Sequence, residues 1–112
     1  MATRSFIGKL LNDGSVRGIY CHHDGYPEGV GRTLKERYTS PEVVDALLSL
    51  GDISALGDDL GTTEAYHRDR GEDLQPNTVY STVRHLLRKG GAELGAEHAY
   101  VYEGGTWTHH KL

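Results

Sequence analysis

Hydrophobic and polar positions alternate at both ends of the chain. Near the start, Phe6-Ile7-Gly8-Lys9-Leu10-Leu11 and Ser15-Val16-Arg17-Gly18-Ile19-Tyr20-Cys21 flank the reversal Asn12-Asp13-Gly14, a pattern that predicts an antiparallel β-hairpin. A two-residue Asp13-Gly14 loop pairs Leu11 with Val16 and Ile7 with Tyr20. A three-residue loop that takes in Asn12 and adds a bulge shifts the register by one and exchanges the faces. At the other end, His98-Ala99-Tyr100-Val101-Tyr102-Glu103 and Thr106-Trp107-Thr108-His109-His110 flank Gly104-Gly105. A two-glycine loop sets Tyr102 opposite Trp107 and Tyr100 opposite His109 on one face, where core packing is the expected role of the aromatic rings.

Between the hairpins the period lengthens. Val30, Leu34 and Tyr38 recur every four residues and predict a short helix that starts between Glu28 and Gly31. Ser40-Pro41 then reads as cap and first residue of a second helix, with Val43, Val44, Leu47 and Leu48 on its apolar face and Gly51 as its stop. A third helix is expected from Thr78 to about Lys89, capped by Asn77 and stopped by Gly90-Gly91, with Val79, Val83, Leu86 and Leu87 inward. This places Arg84, His85, Arg88 and Lys89 at its C-terminal end, where positive charge is favoured. The expected class is α+β: two antiparallel hairpins in a sheet, with about three short helices on one face.

Residues 51–76 carry no clear period. From Gly57 to Pro76 six acidic side chains stand against two basic ones, which predicts an acidic surface connection with a short helical turn near Thr63 to His67. The 112 residues fit a single small domain. The formal net charge of −4 disfavours nonspecific capture by nucleic acid. Nucleic acid stays open as a partner, because Arg84, Arg88 and Lys89, and Arg32, Lys35 and Arg37, make two local basic regions. No apolar run reaches the roughly 18 residues of a membrane span, the first residues do not read as a secretory signal, and Cys21 is the only cysteine. A cytoplasmic location is therefore expected.

Two polar clusters are candidates for function. The first includes His22, His23, Asp24, Tyr26 and Glu28, and the second runs from Tyr66, His67, Arg68, Asp69 and Arg70 through Gly71 and Glu72 to Asp73. Each has a structural reading, as turn residues in the first and, in the second, as an ion pair of Arg68 or Arg70 with Asp24, Glu28 or an acidic residue of its own segment. Each also has a reading as partner-binding surface. As metal ligands, His22, His23, Asp24 and His67 offer suitable atoms for a divalent ion without a recognised spacing, so no cofactor is favoured and no catalytic residue is assigned. Cys21 reads as a small buried apolar residue rather than a nucleophile. His109-His110 form at best an incomplete ligand set.

The stretches Gly18 to Gly31, Gly51 to Gly57 and Tyr66 to Glu72 resemble a family of small bacteriophage- and prophage-encoded proteins, and the resemblance spans most of the chain. It implies phage origin, and with it the cytoplasm of a host cell as the location, and brings no catalytic assignments with it. Compact phage accessory proteins often bind a host or phage protein complex, and some resemble anti-CRISPR or other counter-defence factors in size and acidity. The expectation is thus a nonenzymatic binding protein, with inhibition of a host defence system as one form of that role. A small metal-assisted nuclease or phosphoesterase and a structural virion component are the alternatives.

Overall fold

A computed structural model describes residues 2–112. Strands β1 (Ser5–Leu10) and β2 (Val16–Cys21) form the first hairpin. Its register pairs Leu10 with Val16 and Ile7 with Ile19. The three-residue loop is therefore the one adopted: Leu11 N–H donates to the Ser15 carbonyl, and Gly14 takes φ 88°. The pairing of Ile7 with Tyr20 is corrected by one residue.

A π-helical turn, Pro27–Gly31, leads into α1 (Arg32–Arg37), and α2 (Pro41–Ser49) follows. Val30, Leu34 and Tyr38 are buried as their spacing predicts. The Ser40 hydroxyl accepts from Val43 N–H, and Gly51 leaves α2 at φ 76°.

The 51–76 segment is not all surface. It contributes β3 (Ile53–Ala55), β4 (Glu64–Ala65) and α3 (Tyr66–Arg70), with Ile53 and Ala65 in the core. Three- and two-residue strands are too short to show a period, so neighbouring strands rather than local pattern define them.

The third helix differs most from expectation. Thr78–Tyr80 is strand β5, and the helix α4 runs Val83–Leu94, straight through Gly90-Gly91 to Gly95 at φ 65°. Thr82 caps it by accepting from His85 N–H at 3.0 Å. Asn77 instead ties elements together, donating to the Leu48 carbonyl at 2.9 Å and accepting from Arg17 at 3.0 Å. Val79 and Leu87 are exposed, and Arg84 to Lys89 occupy the first half of the helix. The glycine pair does not stop the helix because it serves packing. Gly90 is buried against Leu86 and the C-terminal Leu112.

Strands β6 (His98–Glu103) and β7 (Thr106–Lys111) form the last hairpin, with Tyr102 opposite Trp107 and Tyr100 opposite His109 as expected. The hairpins share one mixed sheet of order β4-β3-β2-β1-β6-β7, in which β1 and β6 are parallel. The edge of β2 away from β1 is divided: β5 pairs with Val16 to Gly18 and β3 meets Cys21.

Helices cover both faces, not one. On one face Ile7, Ile19, Tyr100 and Trp107 pack with Leu34, Leu47 and Leu48. On the other, Phe6, Val16, Ala99 and Val101 pack with Leu86 and Tyr80. Full burial of each large apolar side chain contributes roughly 1.5–3 kcal/mol. The last hairpin also fastens the segment before α2: Tyr100 donates to the Gly25 carbonyl at 2.7 Å, Tyr102 to Thr39 at 3.0 Å and Trp107 to Tyr38 at 2.8 Å. No helix among the described residues is long and apolar enough to cross a membrane.

Candidate partner-binding site

Backbone pairing carries the first polar cluster toward the second. Beyond β2, His22 N–H donates to the Ile53 carbonyl at 3.1 Å and His23 N–H to Ser54 at 2.9 Å. β3 turns back as β4, and β4 runs directly into α3. Tyr66 N–H donates to the Asp52 carbonyl at 3.3 Å, so α3 starts beside the end of β2.

The two arginines are used within their own segment. Arg68 grips Asp69 with two hydrogen bonds of 2.9 Å and donates to the Thr63 carbonyl at 2.6 Å. Asp69 also accepts from Ala65 N–H at 2.8 Å, capping the start of α3. These donors hold the Asp69 carboxyl below its ordinary range, the Arg68 side chain first among them. Arg70 pairs with Glu64, and its guanidinium carbon lies 5.1 Å from the Tyr66 ring centre. Local pairing within one short segment is inexpensive in chain entropy, and it shapes α3 before any partner arrives.

Between these elements opens a pocket of about 460 Å³ whose lining includes Tyr20, Asp52, Tyr66, His67, Glu72 and Asp73. Asp52 bridges its two sides: its carboxylate accepts the Tyr20 N–H at 3.0 Å while its carbonyl accepts from Tyr66. Burial pushes the Asp52 carboxyl above its ordinary range, partly offset by the Tyr20 N–H. The Tyr20 hydroxyl lies 2.8 Å from His22 Nδ1, and burial raises its phenol. His67 Nδ1–H donates to the Glu72 carbonyl at 2.8 Å, which folds residues 71–73 back over the pocket. His22 is lowered from the usual imidazole range by desolvation first, then by His23, Arg4 and Arg70.

The remaining candidates lie elsewhere. Asp24 turns the chain at φ 58° and accepts from the Tyr26 hydroxyl at 3.3 Å. Gly25 is required there, because a Cβ would press on the Thr3 carbonyl. Glu28 lines a separate cavity with Arg32 and Lys35. The expected ten-residue surface is thus divided: His22 and His23 continue β2 along β3 on the side of Tyr66 to Arg70, while Asp24 and Tyr26 lead into the π-helical turn that holds Glu28. Among the described residues, His22, His23, Asp24 and His67 do not assemble into a group of three metal ligands. Cys21 is buried, and burial pushes its thiol up to about 12, far from a nucleophile's range.

Glu72 and Asp73 end the second cluster, whereas Asp52 was not among the sequence candidates. Asp52 sits just past a helix stop, in a context shared with any turn carboxylate, and the spacing to Tyr66 gave no sign of their contact. No family model, curated protein or solved structure matches the chain.

Proposed function

We propose that this chain is a phage accessory protein that acts by binding a host or phage protein, with the pocket between the end of β2 and α3 as its point of contact. The pocket carries this reading. It combines two tyrosine rings with three carboxylates, the chemistry that receives a lysine or arginine side chain through charge and cation–π attraction. Asp52 is the main anchor. Its carboxylate is held partly desolvated by the fold, so an arriving cation gains more there than at a fully solvated acid. The paired arginines of α3 keep the surface in shape beside it, in line with a preorganised binding face. Inhibition of a defence system is one outcome that such binding would have.

The test is affinity recovery from infected cells followed by cross-linking mass spectrometry. The wild-type chain is compared with a variant carrying Glu72→Gln and Asp73→Asn, two exposed members of the pocket. The expected result is one near-stoichiometric partner with the wild type and its loss with the variant, whose circular dichroism stays unchanged. Equal recovery by both proteins, or no enriched partner, overturns the proposal.

A further inference from the structure

We propose that His98 and His109 form a two-histidine site for a divalent transition-metal ion that clips β6 to β7. The sheet register places them there. Tyr100 is opposite His109 and His98 opposite Lys111, so His98 and His109 are diagonal neighbours on the same face. Their rings meet: His98 Nδ1 lies 2.8 Å from His109 Nε2, and the ring centres are 5.0 Å apart. Two neutral imidazoles share one proton across such a contact, whereas a metal ion accepts the lone pairs of both nitrogens.

The spacing suits that exchange. With metal–nitrogen bonds of about 2.0–2.1 Å, two neighbouring ligand nitrogens stand about 2.9 Å apart at a right angle and about 3.3 Å apart at the tetrahedral angle. Opening the observed contact by about 0.1 Å reaches the first value, and about 0.5 Å is needed for the second. A tetragonal ion such as Cu²⁺ or Ni²⁺ therefore fits best, and Cu²⁺ binds most tightly by the general order of affinities.

Tyr100 supplies the platform. Its ring lies 5.2 Å from that of His109 and 6.5 Å from that of His98, and its hydroxyl is tied to the Gly25 carbonyl. His110 is not part of the pair. It projects to the other face of β7, with Nε2 3.4 Å from the Thr108 hydroxyl. Among the described residues no third histidine, cysteine or carboxylate completes the set. The other coordination positions are left to water or to a donor from another molecule, which makes the ion exchangeable. This site is independent of the pocket beside α3.

The test titrates Cu²⁺, Ni²⁺ and Zn²⁺ into the untagged chain by calorimetry at pH 7.5, with histidine side-chain NMR as a second readout. The expected result is one ion per chain, Cu²⁺ tightest, with His98 Nδ1 and His109 Nε2 as the shifted nitrogens and slower amide exchange in β6 and β7. His98→Gln and His109→Gln each weaken binding at least tenfold, and His110→Gln leaves it unchanged. Circular dichroism checks that each variant is folded. Absence of a one-to-one event, or binding that survives the His98→Gln/His109→Gln double variant, overturns the proposal. So does equal loss in His110→Gln.

Discussion

Replacing Thr63 by valine tests whether the 51–76 segment is fastened to the core. The Thr63 hydroxyl is buried where three elements meet. It accepts from Gly57 N–H at 3.0 Å, donates to the Asp59 carbonyl at 2.9 Å and lies 3.1 Å from the Tyr38 hydroxyl, which itself donates to the Gly57 carbonyl at 2.9 Å. Two hydroxyl protons thus serve three contacts, so the network is frustrated by one proton and loses little when a single acceptor is left. A lost donor is different. Thr63→Val keeps the shape but leaves Gly57 N–H without its acceptor, while Tyr38 keeps its bond to the Gly57 carbonyl. An unmatched buried polar group costs about 1–3 kcal/mol, and half-buried Gly57 brings the expected loss to about 2 kcal/mol. Tyr38→Phe removes one hydroxyl from a contact already short of a proton and costs about 1 kcal/mol. The double variant is expected to lose about 0.5 kcal/mol less than the sum, because the two side chains share partners. Urea unfolding followed by circular dichroism measures all three, and the 2 kcal/mol loss corresponds to about 8 °C in Tm. A Thr63→Val protein within about 0.5 kcal/mol of wild type would refute the network as a fastening.

Gly18→Ala is expected to destabilise by about 3 kcal/mol, because its Cβ would meet the Ile7 carbonyl and the Phe6 ring. Gly14→Ala, in open space at φ 88°, costs only the 1–2 kcal/mol of a left-handed residue, roughly; denaturant midpoints separate the two. Gly91→Ala is expected to stabilise by about 0.5–1 kcal/mol, since it lies within α4 and its Cβ would only touch Leu112 at ordinary distance. A loss of stability there would restore the glycine pair as a helix stop. Carboxyl NMR titration is expected to place Asp69 below and Asp52 above the ordinary aspartate range. Asp69 then contributes stability that is present above its unfolded pKa and lost as pH falls through its folded one. Asp52 has the opposite sign: stability falls as pH rises from the unfolded value through the folded one, and Asp52→Asn removes that dependence.

What could be read from the sequence depended on how locally each structure is determined. The β6–β7 register was legible because Gly104-Gly105, both at positive φ, fix a two-residue turn. The β1–β2 register was legible only as a choice, since Asn12 belongs equally well to either loop. Strands β3, β4 and β5 were not legible, because two or three residues pair where the sheet has room. Gly90-Gly91 misled for a related reason: the small size of Gly90 answers to Leu86 and Leu112, a packing demand invisible from a local window. In the candidate site, charge alternation marked Arg68 and Arg70 as ion-pairing residues but left Asp24, Glu28 and their own segment open as the source of partners, and Asp69 and Glu64 are the ones used. The pocket did not, because Tyr20, Asp52 and Tyr66 converge only through the order of strands. His98 and His109 were within reach, since the predicted opposition of Tyr100 and His109 already implied the diagonal.

The divided outer edge of β2 has a consequence for how the protein behaves in a crowded solution. Between the short partners β5 and β3, an exposed stretch of strand would present a free N–H to any passing extended segment, the usual starting point for strand addition and aggregation. The Tyr20 N–H is taken instead by the Asp52 carboxylate. A single acidic side chain stands in for a missing strand: it satisfies the donor yet offers no following carbonyl or N–H for a foreign chain to continue along. The break in the sheet is therefore sealed against the addition of a strand while remaining open as a cavity.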